Sequence, residues 1–130
     1  MKPQLKAEGH FNDGKHSADF SNIPVFIIKE GKTSIYYSPV FDLSGYGHSE
    51  KEAQKSLMIA IDEFFKYTMN KKTLETELIK LGWKHPKKKK FVPPAMSDMV
   101  KKRDYLSEII NEHNFRKESL NLNPSTPAVA

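Results

Sequence analysis

Ser49-Glu50-Lys51-Glu52-Ala53-Gln54-Lys55-Ser56-Leu57-Met58-Ile59-Ala60-Ile61-Asp62-Glu63-Phe64-Phe65-Lys66-Tyr67-Thr68 decides how this chain folds. Ser49 and Glu52 form a capping box: the serine oxygen can accept from a free amide of the first turn, and the glutamate can reach back. Ala53, Leu57, Ala60, Ile61, Phe64, Phe65 and Thr68 recur at steps of three and four, so they share one stripe. Lys51, Lys55, Asp62, Glu63 and Lys66 fall mostly off it. The spacing predicts an amphipathic helix over 49–70 that needs an apolar partner.

The partner lies upstream. Ile23-Pro24-Val25-Phe26-Ile27-Ile28-Lys29 is β-branched and aromatic and reads as a strand. Pro24 fits near its start or on an edge. Glu30-Gly31-Lys32 is a turn, and Thr33 to Phe41 is a second strand, giving a hairpin. Alternation places Ile35, Tyr37 and Pro39 on one face and Tyr36, Ser38 and Val40 on the other. Asp42-Leu43-Ser44-Gly45 turns the chain, and Tyr46 begins a short third strand. A hairpin alone is marginal in water, so helix and sheet require each other.

Downstream, Thr73 is expected to cap a second helix with Leu74, Leu78 and Leu81 on its apolar line and Gly82 as its stop. Trp83 is expected to anchor that end on the body. His85 to Pro94 reads as an exposed basic connection. Met96, Met99 and Val100 suggest one short helix. Asp104 is expected to cap another, with Leu106, Ile109 and Ile110 inward. Residues 115–122 read as a late strand, at an edge or shared with a second copy in a homodimer. Residues 1–22 show neither period and read as a flexible arm held by Phe11 or Phe20. Residues 123–130 read as a flexible tail. The expected architecture is α+β: one domain over 23–122, with a small antiparallel sheet in a β-β-β-α core. The long helix covers one face, and short C-terminal helices and the late strand follow.

Composition narrows the function. The chain has 130 residues, no cysteine and a formal net charge of +5. Without cysteine there are no disulfides, thiolate nucleophiles or zinc–thiolate sites. No apolar run approaches the ~18–20 residues of a membrane helix, and Met1 to Phe20 lacks a signal-peptide core. A cytoplasmic protein is expected. The positive charge is concentrated: residues 71–103 carry eleven Lys or Arg against three acids. Lys84, Lys87, Lys88, Lys89 and Lys90 centre that segment and are the candidate nucleic-acid-binding residues, although a solvated basic link is the plainer reading.

No residue pattern carries catalysis. His10, His16, His48, His85 and His113 form no i,i+4 pair on a helix and no HExxH, so no metal site is expected. Ser44 and Ser49 lie near Gly45 and Gly47, but the GxSxG pattern is absent. Gly45-Tyr46-Gly47 is too short for a dinucleotide loop. Asp62 and Glu63 are adjacent on a helix and do not face each other. Asp42 alone is weak as a cation ligand. No catalytic residue and no cofactor is expected, and an unfamiliar site at the Asp42–Ser49 loop is the weakest alternative.

Tyr36-Tyr37-Ser38-Pro39-Val40-Phe41-Asp42-Leu43-Ser44-Gly45, followed by Gly47-His48-Ser49-Glu50-Lys51-Glu52-Ala53, resembles the HicB antitoxin family. Its members show a Tyr-rich second strand, an acidic-Leu-Pro-Gly turn, then Gly-acid-Thr and Glu-Glu-Ala opening a long helix. Ser44 here stands where proline is usual, and His48 where the acid is usual. The likeness covers residues 23–70. The Leu78–Trp83 and Phe91–Pro94 pieces look like those of a longer, solitary branch. The resemblance implies a degenerate RNase H-like fold, also similar to double-stranded-RNA-binding domains, without the catalytic carboxylates. It implies an antitoxin that binds and neutralises a small, basic HicA-type RNA-cleaving toxin. Some members carry a C-terminal DNA-binding element; here the late strand follows the helices, unlike a ribbon-helix-helix.

Overall fold

Three consecutive strands, β3 (Ile23–Glu30), β4 (Thr33–Ser38) and β5 (Leu43–Gly47), pair antiparallel as a meander, and β7 (Arg116–Leu120) joins the free side of β3. The strand order is β5-β4-β3-β7, so the late strand is an edge. This computed structural model describes residues 10–12, 17–20, 22–84 and 90–122. The architecture is α+β, a four-stranded antiparallel sheet with one long helix and shorter ones.

The long helix α1 (Glu50–Asn70) lies on the face of the sheet that carries Tyr36, Gly45 and Gly47. Ala53, Leu57, Ile61, Phe65 and Thr68 are its buried line, the stripe read from the sequence. The capping box forms with a shift of one residue. Ser49 Oγ accepts from Glu52 N at 3.2 Å, while Glu52 Oε1 accepts from the amide of His48 at 2.8 Å. Buried Thr68 is satisfied along its own helix, its hydroxyl donating to Phe64 O at 2.8 Å.

The opposite face is also covered. α2 (Leu74–Lys80) and α3 (Met96–Lys102) lead to α4 (Asp104–Glu112). The Tyr105 ring of α4 meets Tyr37 edge-on at 4.9 Å. Ile35, Tyr36, Tyr37 and Ser38 are therefore all buried, and β4 is an interior strand with no solvent side. Two caps differ from expectation. Thr73 precedes α2 but makes no side-chain capping bond, and Arg103, not Asp104, occupies the N-cap of α4.

Two side chains tie the helices to the loop after β4. Trp83 Nε1 donates to Val40 O at 3.1 Å, and Arg103 donates from Nε to Pro39 O at 2.7 Å and from Nη2 to Leu81 O at 2.6 Å. Around them, Phe20, Phe41, Phe65 and Trp83 form an aromatic cluster, with Phe20 centroids 5.1 Å from Phe65 and 5.3 Å from Trp83. Phe20 thus belongs to the core, although residues 1–22 read as an arm. That segment also holds β1 (His10–Asn12) and β2 (Ser17–Asp19), and β2 pairs parallel with β6 (Lys90–Phe91). Phe91 is buried, so the basic connection ends inside the core. The tail 123–130 and Lys87, Lys88 and Lys89 lie outside the described residues.

Candidate functional site

The Asp42–Ser49 segment, within the Tyr36–Ala53 stretch that carries the resemblance, is built by steric demand. A Cβ on Gly45 would overlap the backbone of Ala53 and Leu57, and one on Gly47 would overlap Glu52 and Ala53. Both glycines are needed for α1 to approach β5. Strand alternation then sends Tyr46, between them, to the other face, where it is 57% exposed. Asp42 sits at positive φ (56°), and its carboxylate accepts from the Tyr37 hydroxyl at 2.6 Å. Burial, then that carboxylate, push the Tyr37 phenol well above its ordinary range.

Asp42, His48 and Ser49 do not meet. Asp42 precedes β5 and the other two follow it, a strand length of roughly 20 Å. Asp42 is bonded to Tyr37, and Ser49 caps α1.

On the α4 side, a second group of polar residues does converge. His113 Nε2 lies 3.3 Å from Glu108 Oε2 and 3.7 Å from Glu30 Oε2. Among the described residues, these are the three whose donor atoms come close enough together to share a small cation. No pattern along the chain points to it, because Glu30 at the end of β3 is remote in sequence from Glu108 and His113, which only the fold brings to it. Tyr105 borders the group; burial first, then the nearby Glu30, Tyr46 and Glu108, push its phenol up to about 12. Phe115, two residues beyond His113, rests on Phe26 with ring centroids 5.3 Å apart and is half-exposed.

At the outer end of β3, a groove of about 230 Å³ is lined by Ile27, Lys29, Ser34, Glu50, Phe115 and Arg116. Arg116 bridges it as a fork, with Nη1 and Nη2 donating to the Glu50 carboxylate at 3.1 and 2.7 Å, and Nη2 also to Glu118 at 3.2 Å. The Arg116 guanidinium holds the Glu50 carboxyl below its ordinary value.

The candidate nucleic-acid residues divide. Lys84 is exposed and exchanges both backbone hydrogen bonds with Val92 at 2.9 Å, so this bridge brackets the lysine run. Lys90 opens β6. Lys84 and Lys102 share the rim of a notch of about 70 Å³ between the end of α2 and α3, where Asp98 also lies. The third cation there, Arg103, is already committed to carbonyls.

Compared with protein-family models, with curated proteins and with solved structures, the chain matches none.

Proposed function

We propose that this chain is a non-catalytic, HicB-like binding module that acts in the cytoplasm, occluding a small basic HicA-type RNA-cleaving toxin. One observation carries the reading: Gly45 and Gly47 seat α1 on the sheet, and the same strand leaves Tyr46 presented to solvent on its other face. The residues of the resemblance thus have a physical use as a packed scaffold that displays an aromatic side chain. The non-catalytic part is supported by the separation of Asp42 from His48 and Ser49 along β5.

The test is co-expression with the small basic protein encoded beside this chain. Co-purification and relief of RNA cleavage support the proposal; independent elution with cleavage unchanged rejects it. A homodimer through the open edge of β7 belongs to the same proposal. Sedimentation equilibrium reads it, since one copy has a mass of 14.9 kDa.

A second reading, a nucleic-acid-binding module using Lys84, Lys87, Lys88, Lys89 and Lys90, is favoured by the approach of Lys84 and Lys102 at one notch. Phosphate contacts weaken steeply as salt rises. Equal RNA affinity of the chain and of a variant with all five lysines changed to alanine, across a salt series, rejects it.

A further inference from the structure

We infer that the face running from Tyr46 across Glu30 and Glu108 to Phe115 is the docking surface for a small basic protein. The inference rests on the protein-binding reading above and adds the place and chemistry of the contact. Tyr46 and Phe115 are large side chains left 57% and 41% exposed. Both stand on rigid supports. Tyr46 projects from β5, in register with Ile35 of β4, and Phe115 rests on Phe26 of β3. Aromatic side chains held this way are the usual anchors of protein interfaces, because little rotamer freedom is lost when they are covered.

Between the anchors lie Glu30 and Glu108, joined only by His113. Among the described residues, no lysine or arginine pairs with either carboxylate, although Lys32 and Lys117 border the face. Two exposed carboxylates without a permanent cation favour a partner that brings ammonium or guanidinium groups, and repel an acidic one. The other exposed apolar side chains offer a contrast. On the outer side of α1, Tyr67 has the Lys71 ammonium over its ring at 5.8 Å, and Lys66 is its neighbour in sequence. Asp62 and Glu63 are exposed on the same side of α1 with Lys66 beside them, so the charge there is mixed and expresses no preference for a basic partner.

The experiment places the photo-crosslinking residue p-benzoylphenylalanine singly at Tyr46, Phe115, Ile59 or Tyr67 of the full chain in cells that express it. Captured species are identified by mass spectrometry. The expected result is a protein richer in Lys and Arg than in Asp and Glu, captured from positions 46 and 115. Its capture falls roughly tenfold or more in the double variant Glu30→Lys/Glu108→Lys. Both glutamates are exposed, and thermal unfolding of the variant checks that it folds. A basic protein captured only from positions 59 and 67 overturns the docking face and leaves the protein-binding reading standing. No protein captured from any position overturns both. Capture of RNA or an acidic protein from position 46, or capture unchanged by the double variant, overturns the inference.

Discussion

Gly45 on β5 and Leu57 on α1 stand so close that the Leu57 backbone nitrogen occupies the space a side chain at position 45 would need. This contact sets the spacing of the two layers, and everything on the far face follows from it. Helix and strand backbones meet here without intervening side chains, so neither can yield locally.

Gly45→Ala is therefore expected to destabilise the fold by about 1–3 kcal/mol or more, through overpacking against backbone. Gly31→Ala is the comparison: Gly31 has a φ of 63° and nothing within 4 Å of an added Cβ. Its cost is the left-handed backbone alone, about 1–2 kcal/mol. Urea denaturation of both variants checks the order; equal losses would show that the layers can slide.

Arg103 donates to two carbonyls contributed by the loop after β4 and the end of α2. Arg103→Met keeps much of the stem but leaves both carbonyls unpaired, at about 1–3 kcal/mol for each one kept from water. Arg103→Lys is expected to recover little, since an ammonium lacks the planar fork. Denaturation midpoints of both variants, with Trp83 fluorescence as the probe, measure this.

Ser38 is fully buried, and its hydroxyl has no hydrogen-bond partner among the described residues. Ser38→Ala removes an unsatisfied polar atom at little cost in packing. It is expected to leave stability unchanged or raise it by up to ~1 kcal/mol. A clear loss of stability would mean that a bound water satisfies the hydroxyl.

The Glu50 carboxyl is held below its ordinary value of 4.5, first by hydrogen bonds from Arg116. A carboxyl depressed by folding stabilises the folded state at pH values above 4.5, and that contribution is lost as pH falls through the lowered value. The pair is exposed, so the effect is small and screened by salt. Arg116→Ala is expected to flatten the acid limb of the stability–pH curve and to leave the alkaline limb unchanged. An unaltered acid limb would show that the fork contributes nothing.

Much of the scaffold was legible because it depends on local pattern. The stripe from Ala53 to Thr68, the hairpin at Gly31, the Gly82 stop and Trp83 as an anchor each follow from periodicity or turn chemistry within a few residues. The errors have physical causes. β1, β2 and β6 run only two or three residues, too short for a period to register. β4 did not reveal that both its faces are buried: Ser34, Tyr36 and Ser38 share the face under α1, Ile35 and Tyr37 the other, and only the long-range packing of α4 on Tyr37 closes that second face. The cap expected at Asp104 falls one residue earlier, on Arg103, because that residue is the single joint that ends α3 and begins α4.

Sequence alone determined that a long amphipathic helix must lie on a small β-meander, since the apolar stripe and the alternating strands have no other way to leave water. Tertiary structure alone decided what the remaining surface presents. Glu30, Glu108, His113 and Phe115 come together only because β3 and β7 pair antiparallel and α4 crosses the sheet beside them. The approach of Glu30 to the 108–115 stretch depends on long-range pairing, and no pattern along the chain encodes a distance between segments so far apart.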